Sequence, residues 1–169
     1  MILPFSTQLN GKPTYFVEKI HAGLLINGLW EGGFDSNFAH NNFSTDALAE
    51  KHAKIHTIRE DKNNRWTPGT KIDFFINCRQ PNMFRFAPVL PVVSVQKVEI
   101  IYFPLTTIPV RKVPVLKVDD EIIYDAAGIN EKQMLEFANN DGFDTIENFF
   151  SYFNEDFTGK LIHWTDLKY

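Results

Sequence analysis

The chain has 169 residues, of which 44% are hydrophobic and 14% aromatic, with sixteen Phe and a formal net charge of −4. That is enough apolar side chain to bury the core of one domain, so disorder is not the expected state of most of the chain, while two domains would be crowded at this length. The negative balance excludes a simple nucleic-acid coat, and no apolar run is long enough to span a bilayer.

In chain order, a short strand is predicted at Ile2–Phe5, where Met1-Ile2-Leu3-Pro4-Phe5 has neither the basic leader nor the apolar length of a secretory signal. From Thr14 onward, Phe16, Ile20 and Leu24 recur every fourth position beside Val17. That spacing predicts an amphipathic helix ending near Gly28. Residues 27–43 are rich in Gly, Asn and Asp and read as an irregular loop, part of an insertion near 27–53. Ser44 or Thr45 is placed to cap a short helix over 47–52. Trp66-Thr67-Pro68-Gly69 is a turn leading into an alternating strand over 70–77.

Further strands are predicted over 83–87, 92–103, 109–118 and 121–124, and Pro114 marks its run as an edge strand or hairpin arm. Asn130 with Gln133, and Asp144 with Glu147, resemble capping boxes opening two helices. The second helix carries Ile146, Phe149, Phe150 and Phe153 at helical spacing, a core stripe. A last strand is predicted over 160–165. Neither an internal repeat nor a low-complexity stretch divides the chain, so one domain over 1–169 is expected. Several non-local strands with a few short helices point to an α+β domain whose sheet curls into a β-barrel or half-barrel.

Charge is unevenly spread. Between residues 51 and 85 eight Lys/Arg face three acids, and between 119 and 158 eleven acids face Lys132 alone. Such asymmetry makes one face attractive to anions, or simply two solvated faces. The basic half holds the segment Lys54-Ile55-His56-Thr57-Ile58-Arg59. In a strand, Thr57 and Arg59 project to one face and His56 and Ile58 to the other. Lys54 joins Thr57 only if the chain turns at Ile55 or His56. A Lys, a Thr hydroxyl and an Arg on one surface make a donor-rich site for carbonyl or phosphate oxygens, or a hydrogen-bonding cluster that closes the sheet.

Segment 54–59 resembles the K-x-x-T-x-R signature of ASCH domains, here followed by the Trp66-Thr67-Pro68-Gly69 turn. The resemblance extends to Asp141-Gly142-Phe143-Asp144 and the helix after it, and to residues 14–20 as the family's first helix. It implies a PUA-like β-barrel with a cleft beside the K-x-x-T-x-R strand, and a link to RNA or nucleotide binding. Some members resemble small amidohydrolases acting on acetylcytidine, with a Thr nucleophile, a Lys base and a Glu as third member. Carried over by motif, these are Thr57, Lys54 and Asp141, the last one methylene shorter than Glu.

The reading that follows is a domain binding a nucleobase, nucleoside, nucleotide or single-stranded RNA. Lys54 and Arg59 meet oxygens, Thr57 fixes orientation and Trp66 offers a stacking surface. Duplex DNA is disfavoured, because its affinity depends on releasing many counterions to a basic surface. The alternative is an amidohydrolase acting on an acylated nucleoside; a third reading is a protein-interaction module using the insertion near 27–53. No cofactor is expected. His52 and His56 stand at i, i+4, a spacing suited to a metal on a helix, but no further ligand pattern accompanies them and no metal is expected. The lone Cys78, expected to be buried and inert, suits a reducing, cytoplasmic compartment.

Overall fold

The computed structural model describes residues 1–29, 52–106, 111–126 and 130–169. Within them the protein is α+β, mostly sheet. β1 (Ile2–Phe5) lies parallel to β5 (Lys71–Ile76), which also pairs antiparallel with β6 (Phe84–Arg85) and β7 (Leu90–Pro91). A short hairpin joins β2 (Gln8–Leu9) to β3 (Lys12–Pro13) through Asn10 and Gly11, both at positive φ. The larger sheet is antiparallel and combines β4 (His56–Arg59), β8 (Ser94–Leu105), β9 (Arg111–Val118), β10 (Glu121–Asp125) and β11 (Phe157–His163). Its order is β10-β9-β8-β11-β4, an open path with β10 and β4 at its ends, so among the described residues it forms no closed barrel.

Three helices complete the described residues: α1 (Phe16–Ile26), α2 (Glu131–Asn140) and α3 (Ile146–Tyr152). None is long and apolar enough to cross a membrane. The short helix expected over 47–52 and most of the insertion near 27–53 lie outside the described residues.

Period-two patterning builds the first sheet: Ile72, Phe74 and Ile76 are buried while Lys71, Asp73 and Phe75 alternate with them. Leu3 and Phe5 of β1 join Phe74, Phe86 and Trp164 in one core, closed on another side by Val17, Ile20 and Leu24 of α1. Phe5 stacks on Phe74 at 5.9 Å and meets Phe86 and Trp164 edge-on. A second core lies between the larger sheet and α2 and α3, with Val98, Ile100 and Leu116 against Met134, Phe137 and Phe149. Each such side chain taken out of water contributes about 1.5–3 kcal/mol before the entropy of ordering it is subtracted.

Several local expectations change. Of the two alternatives at Pro114 the hairpin arm holds and the edge does not: β9 sits between its antiparallel neighbours β8 and β10, although β10 reaches only as far as Val115. Pro114, opposite Tyr102 of β8, therefore lies where no strand pairs on its other side among the described residues, and its missing N–H leaves no ladder bond unmade. Asn130 makes no side-chain cap, because it adopts a left-handed conformation at φ 64°. The second box shifts by one residue: Thr145, not Asp144, caps α3 by accepting the Asn148 N–H at 3.1 Å. Asp144 is instead taken by Lys19.

Candidate functional site

The site lies where the two cores meet. Phe16 of the α1 side touches Phe143 of the α2 side at 6.1 Å, edge to face. The chain enters β4 from irregular backbone threaded between helices: the Lys54 N–H donates to Lys19 O at 2.9 Å, and the Ile55 N–H to Asn140 O at 3.0 Å. Gly23 of α1 permits this approach, since a Cβ there would stand 2.6 Å from Lys54 O.

The strand begins only at His56, so strand alternation does not govern Lys54. Its side chain lines the same 40 Å³ cavity as Thr57, Arg59 and Asp141. Lys54 is 1% exposed, Thr57 3% and Asp141 4%, so this polar cluster is almost wholly out of water.

Asp141 reaches the site through the end of α2. The Gly142 N–H donates to Asn139 O and the Phe143 N–H to Ala138 O, both at 2.8 Å, with Gly142 at φ 94°. This is a Schellman closure, and the left-handed glycine turns the chain sharply enough to face Asp141 toward β4. Lys54 Nζ donates to Asp141 Oδ1 at 2.7 Å and also to the Asp141 carbonyl. The same Oδ1 accepts the Ile58 N–H at 3.3 Å. Lys54 Nζ further lies 5.0 Å from the Phe16 ring centroid and 5.9 Å from that of Phe5.

The electrostatics follow from burial. Desolvation pushes the Lys54 ammonium down to about 8 against the pull of Asp141, and the Arg59 and Lys19 cations push the same way. Burial works to raise the Asp141 carboxyl, but the Lys54 charge, with His56 beside it, holds it below the usual carboxylate range. Arg59 donates from Nη2 to Pro4 O at 2.6 Å and lies over the Phe5 ring at 5.2 Å. Its Nε is buried without a hydrogen-bond partner, leaving a guanidinium donor beside the cavity.

Behind Asp141 stands a network that the sequence did not suggest. His56 is fully buried, with Nδ1 3.7 Å from Asp141 Oδ1 and Nε2 2.9 Å from the Tyr169 hydroxyl. Asn140 Nδ2 donates to that same hydroxyl at 2.9 Å. Asp141 can only accept, so the imidazole proton is placed on Nδ1, which faces the carboxylate at 3.7 Å without a hydrogen bond, and Nε2 then accepts from the Tyr169 hydroxyl. Burial lowers the His56 pKa and keeps the ring neutral.

Lys19 is the second missed residue. It is 1% exposed, and its Nζ donates to Gly142 O at 2.6 Å and to Asp144 Oδ1 at 2.7 Å. Two buried lysines thus hold successive residues of one turn. The signal was faint: Lys19, three residues after Phe16, flanks the apolar arc of α1, where a cation that turns inward needs a buried partner. For Tyr169, 113 residues from His56, no local spacing gave a hint.

The remaining nominees separate. Trp66, expected as a stacking surface, is 4% exposed, packs in the first core and lines a separate cavity of 660 Å³ with Gln96 and Lys160. It does not line the Lys54 cavity. His56 opens a strand, so the helical i, i+4 relation to His52 does not arise. Cys78 is partly exposed rather than buried. No protein-family model, curated protein or solved structure matches the chain.

Proposed function

We propose that this chain is an ASCH-type domain of the PUA-like class, with an open half-barrel in place of a closed one, and that it binds a nucleobase, nucleoside, nucleotide or single-stranded RNA. A cytoplasmic setting belongs to the same reading and rests on the lone Cys78. The observation that carries the reading is the convergence of Lys54, Thr57, Arg59 and Asp141 on one cavity walled by Phe16, Phe143 and Tyr152. An unpartnered Arg59 N–H, a Thr hydroxyl and aromatic walls suit a flat ligand carrying a carbonyl or phosphoryl oxygen.

A thermal-shift titration against nucleosides, nucleotides and short RNA tests it, because a ligand that binds only the folded state must raise the melting temperature. Stabilisation of the wild type that is lost in Arg59→Ala, each referred to its own unliganded melting point, supports the site. Equal stabilisation of both removes it.

One observation favours catalysis as a second reading: the Lys54 amine, held to about 8, shares its cavity with the Thr57 hydroxyl. Neutral Lys54 would take the Thr57 proton as Oγ1 attacks an amide carbonyl. The amine would leave with that proton, and water would then hydrolyse the ester. Thr57→Ala abolishes turnover of an acylated nucleoside under this reading and leaves nucleoside binding in place. Turnover that survives the substitution sinks it.

A further inference from the structure

The cavity that gathers Lys54, Thr57 and Arg59 measures 40 Å³, little more than the roughly 30 Å³ that one water occupies in the liquid. That is far below the roughly 300 Å³ from which small-molecule sites usually start, and too little for a whole nucleoside. A ligand that uses these groups can place only one small substituent among them, and its body must lie elsewhere. The adjoining cavity, of 340 Å³, shares the walls Leu9, Phe16, Phe143 and Tyr152 with the first and falls within the usual range for small-molecule sites.

Lys19 and Asp144, paired with each other at 2.7 Å, line one part of this larger chamber, and α3 forms another wall. Its apolar face buries Phe149 in the second core, while Asn148, Ser151 and Tyr152 follow at i, i+3 and i+4 on another face and line the chamber. They supply a carboxamide, a hydroxyl and a half-exposed aromatic ring (Tyr152, 46%). A carboxamide both donates and accepts, so it reads the mixed edge of an uncharged heterocycle, and an aromatic face takes the ring by stacking. Lys12, exposed on β3, stands at the rim, where an anionic tail would meet it.

We infer that the α3 face formed by Asn148, Ser151 and Tyr152 is the recognition subsite for the planar ring of the ligand, with the 40 Å³ chamber receiving a single small polar substituent from that ring. The inference rests on the nucleoside-binding reading above and assigns its ring to residues outside the K-x-x-T-x-R segment. It also sets a size rule: ring ligands with a one- to three-atom polar substituent enter both chambers, and those with an aryl substituent on the same atom do not.

The test is calorimetric titration of the full chain with cytidine, uridine and adenosine, using Ser151→Phe, Asn148→Ala and Ser151→Ala. Ser151 and Asn148 are both exposed, so the fold is expected to survive these changes, with circular dichroism as the check. Ser151→Phe fills the chamber and is expected to weaken the nucleoside bound by the wild type at least tenfold. Asn148→Ala is expected to weaken it several-fold, and Ser151→Ala to bind within about twofold. Wild-type affinity in both Ser151→Phe and Asn148→Ala overturns the subsite while leaving the Lys54 cavity as the candidate site. Failure of the wild type to bind any of the three nucleosides overturns the subsite, and failure with nucleotides and short RNA as well overturns the underlying reading; both show before a variant is made.

Discussion

Lys54 Nζ lies 2.7 Å from Asp141 Oδ1, with the two side chains 2% and 5% exposed, a buried ion pair between residues 87 positions apart. Removing one member of such a pair leaves an uncompensated charge in a low-dielectric setting, and that costs more than the intact pair contributes. Asp141→Asn is therefore expected to destabilise the fold by about 3 kcal/mol. Urea unfolding checks this, and a loss below about 1 kcal/mol would mean that water reaches the site more freely than the burial implies.

The same pair gives stability an alkaline dependence. Lys54 titrates at about 8 in the folded protein and near 10.5 when unfolded. Below 8 it is charged in both states, and its desolvation cost is fully present. Between 8 and 10.5 the unfolded chain holds more protons than the native one, so this group makes stability rise with pH across that window, by on the order of 3 kcal/mol. Unfolding free energies measured from pH 7.5 to 10.5 should show this slope in the wild type and lose it in Lys54→Met, whatever that variant's overall stability. An equal slope in both would place the lysine's pKa at its ordinary value.

Gly142 is constrained twice. At φ 94° a side chain is strained, and an added Cβ would stand 2.9 Å from both Lys54 Cδ and Phe16 Cε1. Gly142→Ala is expected to cost about 2 kcal/mol or more, whereas Gly11→Ala, equally left-handed but with nothing within 4 Å of its Cβ, should cost only the conformational part, about 1 kcal/mol. Equal costs at the two positions would argue against the close packing of Lys54 and Phe16 on this turn.

Tyr169→Phe removes the hydroxyl that accepts from Asn140 and donates to His56. The expected loss is about 1–2 kcal/mol, with two buried polar atoms left unmatched. Nitrogen-15 NMR of the imidazole should report the Nδ1–H tautomer of His56 in the wild type and a mixture in the variant. The Nε2–H tautomer in the wild type would contradict the donor order derived for the network.

How much of this was legible beforehand follows the range of each interaction. The alternation of Ile72, Phe74 and Ile76 and the stripe from Phe16 to Leu24 are local patterns, and they foretold β5 to within one residue at each end and α1 to within about two. Thr57 and Arg59 fall on one strand face for the same reason. The joining of Lys54 to that face was left open, because it depends on where the strand starts, and this is set by the fit of residues 54 and 55 between α1 and α2. A Trp beside Pro-Gly looks the same in sequence whether it stacks outward or packs inward, so the burial of Trp66 in the first core was not legible from its neighbours. Lys19 and His56 owe their roles to partners 85 to 125 residues away, a separation that no periodicity encodes.

Among the described residues β4 is the last strand of its sheet, and an edge strand with free N–H groups invites another chain to add to it. Here the outward Ile58 N–H is occupied by Asp141, so the carboxylate that anchors the lysine also plugs the seam where a foreign strand would dock. Solubility and site integrity are thereby placed on one side chain. Substitutions at 141 are expected to promote self-association of the heated protein, measurable by light scattering, even in variants whose secondary structure is intact.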